Sequence, residues 1–406
     1  MVSSSVRTDL PQAPGLARSP WTWVLGLLAL LGLVAWVYEL IHGLAATGMR
    51  DVVSWGMYIF TFAYLVGLSA GGLIVASSAE VFHIEPLRPL ARLGVLTAAV
   101  FSAAAGLMII PDLGQPARVL NLFLYPNWTS PLIWDITIIT IYFLFSVAEL
   151  WVMVRRPERK ATLTTLAFVG LPLAVLLHSI TAIIFGLQIS RPWWNTALMA
   201  PIFVASAIVS GTALIVLIAW ILQRHQGMRI PEATWRWLAG LMVMALFVDL
   251  FFVASDYVTI AWDQVPRDRQ VLDMILPGGR FQLTFWFEWV VGGLVPFILL
   301  ASSKLRRKAS NIALAAVLIL MGVYAFRIEL VIPAFVNPLI QLPPGTSLGS
   351  VGPTGSFQLV GLYSPTWVEC LITLGMFALI ALAIAVGYRR LRVDRAIREA
   401  AEHVGD

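Results

Sequence analysis

The chain has 406 residues, of which 59% are hydrophobic and only 12% are charged. Soluble globular domains average about 25% charged residues, so this composition excludes a soluble enzyme, a disordered chain and a disulfide-built secreted domain. The sequence therefore predicts an integral membrane protein. Because Cys370 is the only cysteine, no internal disulfide can form, and any iron–sulfur cluster must belong to another subunit.

Ten apolar runs of about 20 residues, the length that crosses a hydrocarbon core of about 30 Å, follow one another along the chain. In lipid each run must be helical, because no water is present to satisfy backbone groups. The runs are residues 21–42, 54–79, 90–110, 132–154, 162–187, 197–222, 236–262, 282–303, 309–331 and 367–388. The sequence thus predicts an all-α membrane protein with ten transmembrane helices.

The Lys and Arg residues alternate between the segments that connect these runs. Twenty of the 27 fall in segments on the same side of the membrane as the N-terminus. Since cytoplasmic loops carry the excess of Lys and Arg, both termini are predicted to be cytoplasmic. This distribution accounts for the net charge of +5, which gives no indication of nucleic-acid binding.

Three predicted outer loops are long: residues 111–131, 263–281 and 332–366. The last of them is rich in Pro and Gly and has no charged residue. Uncharged, turn-rich loops of this length more often pack against another surface than extend into solvent. We therefore expect a partner on the outer face, with a self-packed cap as the alternative.

Several ionisable side chains fall inside the predicted spans, where they are costly and usually face a cavity or a partner charge. They are Asp135, Glu149, His178, Asp249, Asp256, Glu288, Arg327, Glu329 and Glu369. Asp135, Asp249 and Asp256 favour a functional role, because a short carboxylate cannot reach far toward water. Other positions have structural alternatives. Glu369 lies in a first helical turn and can complement the helix dipole, and Arg327 can form a structural pair with another span.

His178 lies in the segment LHSIT, where polar groups occupy successive faces of the outer half of its helix. A buried histidine can be a simple interhelical hydrogen-bond partner or a haem ligand. The other four histidines lie near span ends or in loops, so no haem site is expected. A quinone carbonyl needs hydrogen-bond donors, and its reduction takes up two protons, so a buried histidine joined to carboxylates suits a quinone site. The small residues 67–72 (GLSAGG) permit either close helix packing or room for a flat ring.

Short motifs spread over nearly the whole chain resemble the NrfD (polysulfide reductase) family of membrane subunits. They are SWGMY at 54–58, GLSAGG at 67–72, DLGQP at 112–116, NWTSPLIWD at 127–135, His178 with Ser179, and SRPWWN at 190–195. The later part is similar to ten-helix members of the HybB, DsrP and ActC type, through FWFE at 285–288, Arg327 and PTWVE at 365–369. The order of these motifs identifies the chain as a member.

The resemblance implies a fold of two antiparallel four-helix bundles between two flanking helices. The implied organisation is a cytoplasmic tail (1–20), a flanking helix and loop (21–53), a first bundle (54–187), a second bundle (188–331), a long outer loop (332–366), and a second flanking helix with a cytoplasmic tail (367–406). It also implies a multi-pass protein of a bacterial or archaeal inner membrane.

The function implied by the resemblance is a quinone-binding subunit of a respiratory oxidoreductase, inactive alone. It would bind menaquinone or ubiquinone and hold no haem or iron–sulfur cluster. It would exchange electrons with a ferredoxin-like iron–sulfur subunit on the outer face. That subunit would in turn serve a molybdenum, haem or nickel–iron catalytic subunit. The expected quinone-site residues are His178, Asp135, Ser69, Trp134 and Arg191. The expected proton-pathway residues are Asp249, Asp256, Glu288, Arg327, Glu329, Glu369 and Glu149.

Two alternatives remain beside this interpretation. The chain could be a proton-translocating module of such a complex with no quinone turnover of its own. A secondary transporter would need broken helices around a midplane substrate site, and Pro172, Pro201 and Pro296 offer only modest kinks.

Overall fold

The computed structural model describes residues 20–50, 52–226, 230–263, 265–337, 361–391 and 393. The predicted N-terminal tail, most of the predicted loop 332–366 and most of the C-terminal tail lie outside these residues. Within the described ranges the chain is helical, with short connections and no strand.

Ten helices are long and apolar enough to cross a membrane, and each predicted span is confirmed to within a few residues. They are α1 (Pro20–His42), α2 (Met57–Val81), α3 (Arg88–Asp112), α4 (Pro131–Arg155), α5 (Lys160–Gly186), α6 (Met199–Gln226), α7 (Glu232–Asp263), α8 (Gln282–Ala301), α9 (Ala309–Val336) and α10 (Trp367–Arg390). We call the end at which α1 finishes the outer end, following the predicted orientation.

For description we group eight of the spans into two sets of four, α2–α5 and α6–α9, which are also in extensive contact with each other. In the first, α2 packs against α3 and α5, and α4 packs against both of those helices. In the second, α6 packs against α7 and α9, and α8 packs against both of those. The two sets meet where α2 contacts α6 and α9 and where α5 contacts α6, while α1 and α10 pair with each other beside α2 and α3.

Small residues allow the two sets to approach closely. A Cβ atom added at Gly71 of α2 would lie 2.6 Å from the Cα atom of Gly211 in α6, so the two backbones are in direct contact. At Gly72 an added Cβ would overlap Thr97 of α3. Close packing therefore accounts for most of the small-residue stretch of α2. Gly67 differs, because it faces the ring of His178.

Helix α8 contains a π-helical segment, Trp286–Leu294, that the sequence pattern did not predict. Gly292 contacts the backbone of Gly322 in α9, and Gly293 faces Leu250 of α7. The wider π turn also carries Glu288, which is buried. Such segments within α-helices occur most often at functional sites.

The outer connections contain short helices where the sequence predicted long loops. One is Val119–Leu124, between α3 and α4, and the other is Pro266–Ile275, between α7 and α8. Helix α10 begins with a capping box, in which the Thr366 hydroxyl and the Glu369 carboxylate each bind a backbone N–H group of the first turn.

Candidate functional site

Three polar side chains from three helices meet where the two sets of four contact each other. The Nη2 atom of Arg327 (α9) donates a hydrogen bond to Ser206 Oγ (α6) at 2.9 Å and lies 3.4 Å from His178 Nε2 (α5). The guanidinium also lies over the ring of Phe203, 4.0 Å from its centroid. His178, Ser206 and Arg327 are completely buried. We call these three residues the central site.

The hydrogen bonds of the central site determine where the proton of His178 lies. A guanidinium has no acceptor, so Nε2 of His178 accepts from Arg327 and the ring proton lies on Nδ1. Among the described residues, neither His178 Nδ1 nor the Nε and Nη1 atoms of Arg327 has a hydrogen-bond partner. A buried donor without an acceptor costs roughly 1–3 kcal/mol. The central site is therefore suited to an additional acceptor, such as a ligand oxygen.

Asp135 reaches the same region through α5. The Thr181 hydroxyl donates to Asp135 Oδ1 at 2.6 Å, and both side chains are buried. Thr181 lies one helical turn from His178, so the two side chains occupy neighbouring positions on one face of α5. Asp135 is therefore bonded to a residue one helical turn from His178.

The other three predicted quinone-site residues lie apart from the central site. Ser69 is buried against α3, where its hydroxyl donates to Ala98 O at 2.7 Å. Trp134 is 37% exposed and donates to Trp128 O, so it faces outward from α4. Arg191 lies at the outer end, over the ring of Phe335 at 3.8 Å.

Two carboxyl groups of the second set of helices lie near each other. Glu288 of the π segment and Glu329 of α9 interact electrostatically, and the Tyr257 hydroxyl donates to Glu329 Oε2 at 2.8 Å. Asp249 interacts electrostatically with both Glu288 and Arg327. Arg327 is therefore the member of the central site that interacts with these acidic groups.

Two further predicted proton-pathway residues are separate from this group. Asp256 accepts a hydrogen bond from Thr196 at 2.7 Å near the outer end of α7. Glu149 lies in the inner half of α4 and is 1% exposed, and its Oε2 atom has no hydrogen-bond partner among the described residues. Glu149 is therefore buried, unlike a side chain that extends to the membrane interface to reach water.

Glu369 belongs to a polar network that ties α10 to the outer ends of α1 and α2. Its carboxylate accepts from Gly48 N at 2.7 Å and from Tyr363 Oη at 2.6 Å, in addition to the capping box. Tyr58 donates a hydrogen bond to Glu39 in the same region. Burial, together with the Glu369 carboxylate, raises the pKa of the Tyr363 phenol well above its ordinary value. These contacts favour the structural alternative for Glu369.

The charged groups of the outer connections are affected by burial. Burial lowers the pKa of the Arg191 guanidinium, whose Nη1 atom donates to Ala334 O at 2.7 Å. In the helix Pro266–Ile275, burial and the charges of Asp256 and Asp263 raise the pKa of Asp268 to about 6. Both groups lie beside Trp193, at the surface where a partner is expected.

Sequence reasoning missed the hydroxyl groups of the site. Ser206, Thr181 and Tyr257 each bind one of the predicted ionisable residues. Serine and threonine are common in membrane helices, where they can bond to a carbonyl one turn away. The one sequence feature that could have indicated the role of Thr181 is its position three residues after His178, on the same face of the helix. Within the described part of the chain, no group of three or more His, Cys, Asp and Glu side chains could hold a metal ion.

Over most of its length the chain is similar to known membrane proteins. The sequence profile described as "Polysulphide reductase, NrfD" matches residues 45–338. A protein of Halobacterium salinarum, named provisionally as a membrane subunit of dimethyl sulfoxide reductase, is 35% identical, covering 98% of this chain and 97% of its own. A selenate reductase subunit of Mesobacillus selenatarsenatis is 26% identical, covering 89% and 91%.

A third relative is the Hdr-like menaquinol oxidoreductase integral membrane subunit of Archaeoglobus fulgidus. It is 27% identical over 93% of this chain and 95% of its own. The profile spans most of the chain, and the Halobacterium protein aligns over nearly its full length. The chain belongs to the polysulphide reductase NrfD family of multi-pass membrane proteins.

Proposed function

We propose that the chain is the quinone-binding membrane subunit of a respiratory oxidoreductase complex. The observation that carries the proposal is the central site, where buried N–H groups of His178 and Arg327 have no acceptor among the residues that the structure describes. Relatives named as subunits of reductases or oxidoreductases, two of them as membrane subunits and one of those as a menaquinol oxidoreductase subunit, support this class of complex.

The residues present fit a quinone. Such a group supplies two-electron, two-proton chemistry when it is bound. His178 would donate a hydrogen bond from Nδ1 to a carbonyl oxygen, and Arg327 would donate from Nε or Nη1. Asp135, held by Thr181, would exchange protons with this position. Because the central site is completely buried, the surrounding side chains must part to admit the ring.

The central site lies near the predicted outer surface. His178 precedes the outer end of α5, Gly186, by a distance of about 12 Å along the helix axis. An iron–sulfur subunit on the outer face would therefore be close to a bound ring, and a further catalytic subunit would exchange electrons with it. Since the Lys and Arg residues concentrate on the other side, that face would be the non-cytoplasmic face of a bacterial or archaeal inner membrane.

The test uses the assembled complex with His178→Ala or Asp135→Asn. Each change removes a group that binds or protonates the quinone, so quinol-linked turnover should fall at least about a hundredfold while the complex still assembles. Ser179→Ala is the matched control, because Ser179 lies next to His178 and its hydroxyl donates to Val175 O of its own helix. Normal turnover in both site variants would contradict the proposal.

A second candidate is a proton-translocating module without its own quinone turnover. The buried carboxyl groups of Glu288 and Glu329, which interact with each other, favour it, as does Asp249, which interacts with Glu288; Glu149 would serve the inner half. Asp256 would be the outer member of the route, and Arg327 would couple the route to the central site. Asp249→Asn and Glu149→Gln should then lower the proton-to-electron ratio without stopping electron transfer. An unchanged ratio in reconstituted vesicles would exclude this candidate.

A further inference from the structure

Arg327 is a buried cation without a carboxylate in direct contact. Its side chain is completely buried, and no carboxylate of the described residues forms an ion pair with its guanidinium. Asp249 and Glu288 interact with it only over a longer distance. A buried charge is costly unless the groups around it compensate for the lost water. The position of Arg327 therefore depends on the neutral groups that contact it.

The ring of Phe203 in α6 contacts both donors of the central site. The guanidinium carbon of Arg327 lies 4.0 Å from the centroid of this ring, and the centroid of the His178 ring lies 5.0 Å from it. The face of an aromatic ring carries partial negative charge and attracts a cation within about 6 Å. Phe326, the residue before Arg327, is the other ring near the guanidinium, at 5.2 Å. Phe203 thus offers the closer aromatic face, and its ring is completely buried.

Phe203 and Ser206 hold Arg327 from the same helix. They are three residues apart and therefore lie on one face of α6. Ser206 Oγ accepts a hydrogen bond from Arg327 Nη2 at 2.9 Å, and the same nitrogen lies 3.4 Å from His178 Nε2. The ring fixes the plane of the guanidinium while the hydroxyl fixes one of its nitrogens. Without the ring, the single bond to Ser206 would leave Arg327 free to turn away from His178.

Aromatic side chains of two sequence motifs hold Phe203 from the outer side. Phe185, near the outer end of α5, lies 5.9 Å from Phe203 and 5.2 Å from Trp194 of the SRPWWN motif, measured between ring centroids. Trp194 stacks on Trp55 of the SWGMY motif at 5.7 Å. The indole N–H of Trp194 donates to Leu330 O at 2.6 Å. Phe203 is therefore the innermost ring of a packed aromatic column that begins at the outer end of the molecule.

We propose that Phe203 is the positioning residue of the central site: the face of its ring holds the Arg327 guanidinium against His178 and so keeps the proton of His178 on Nδ1. The effect on turnover rests on the proposed function, because a bound quinone would be the acceptor for that proton donor. The SWGMY and SRPWWN motifs would serve the same purpose, since their tryptophans support the column.

Fluorination tests the charge distribution of the ring while nearly preserving its shape. Pentafluorophenylalanine, introduced in place of Phe203 in the assembled complex, removes the negative charge from the face of the ring. Solid-state NMR spectra of the complex, prepared with isotope-labelled histidine, show which ring nitrogen carries the proton. The signals of His178 are those missing from a His178→Gln variant. The unmodified complex should show the Nδ1–H tautomer, and the fluorinated complex should show a second set of signals from the Nε2–H tautomer.

The same replacement at Phe101 is the matched control. Phe101 is also buried, and it belongs to α3, which contributes no residue to the central site. Fluorination there should leave the tautomer of His178 unchanged. The proposal would be overturned by an unchanged tautomer after fluorination of Phe203, and equally by the same change after fluorination of Phe101.

Two ordinary variants provide a second measurement. Phe203→Met removes the aromatic face but leaves a large apolar side chain, whereas Phe203→Tyr keeps the face. The Met variant should show both tautomers and lose about tenfold in quinol-linked turnover, and the Tyr variant should retain the tautomer and most of the turnover. Equal losses in the two variants would assign a packing role to Phe203 and contradict the proposal.

The positioning role and the proposed function can fail separately. If fluorination of Phe203 changes the tautomer but Phe203→Met leaves turnover normal, the positioning role stands and the central site is not the quinone site. If the tautomer does not respond while His178→Ala abolishes turnover, the positioning role fails and the proposed function stands.

Discussion

The proton on His178 is fixed by an arginine that comes from the other set of helices. Because Arg327 can only donate, Nε2 of His178 is occupied as an acceptor, and Nδ1 is left as a donor. The same guanidinium interacts electrostatically with Asp249 and Glu288. A change of charge on Asp249 or Glu288 would therefore alter the interaction of Arg327 with His178. Under the proposed function, Arg327 would be the residue through which proton handling and quinone binding influence each other.

The hydroxyl of Thr181 supports a prediction about the site. Thr181→Val keeps the shape of the side chain but leaves the buried Asp135 carboxyl without its hydrogen bond. The loss should cost roughly 1–3 kcal/mol of stability, and turnover should fall about tenfold as Asp135 loses its fixed position. Thermal unfolding and quinol oxidation of the purified complex measure the two effects. Thr165→Val is the control, because Thr165 is exposed and bonds only to Ala161 O. A Thr181 variant as stable and active as that control would contradict the assignment.

Some residues of the site could be predicted from the sequence, and others could not. His178 and Asp135 could be predicted, because an ionisable side chain in an apolar span needs an explanation. Arg327 was predicted in the proton pathway, but its contact with His178 joins residues that are far apart in the chain, and spacing carries no information about such contacts. Ser206 had no signal, since a serine in a membrane helix can satisfy its own hydroxyl.

The transmembrane helices were the most predictable elements, because the surrounding lipid restricts which conformations the chain can adopt. Lipid requires an apolar run to be helical and fixes its length, so all ten spans follow from composition alone. The π segment of α8 could not be predicted in this way. Its apolar character is the same as that of an α-helix, and its form depends on the contact of Gly292 with Gly322 in α9. The grouping of helices likewise depends on non-local glycine contacts.

The contact between Gly71 and Gly211 predicts a test of the junction between α2 and α6. Gly71→Ala would push a methyl group into the backbone of α6, and overpacking of this kind typically costs about 1–3 kcal/mol. Gly106→Ala in α3 is the matched control, because a methyl group there meets no atom within 4 Å and only improves helix propensity. Thermal unfolding in detergent should therefore move in opposite directions for the two variants. A Gly71 variant as stable as the Gly106 variant would show that the helices separate freely.

In the whole molecule, the buried polar groups discussed above are concentrated toward the outer side of the membrane. The central site and the interacting carboxyl groups of Glu288 and Glu329 lie in the outer half of their spans, whereas Glu149 is buried in the inner half of α4. A route for protons through the whole membrane would have to cross the gap between Asp249 and the inner surface. The asymmetry therefore favours a site that exchanges electrons and protons with the outer side.

The orientation behind this argument predicts a labelling pattern for the whole molecule. In a Cys370→Ser background, Tyr125→Cys places a thiol on the predicted outer side and Glu158→Cys places one on the predicted inner side; both positions are exposed. A membrane-impermeant maleimide should label the first in spheroplasts and the second only in everted vesicles, because Lys and Arg near the second retain that loop in the cytoplasm. The two variants control for each other. The reverse pattern would place the central site near the cytoplasm and would move the expected iron–sulfur partner to that side.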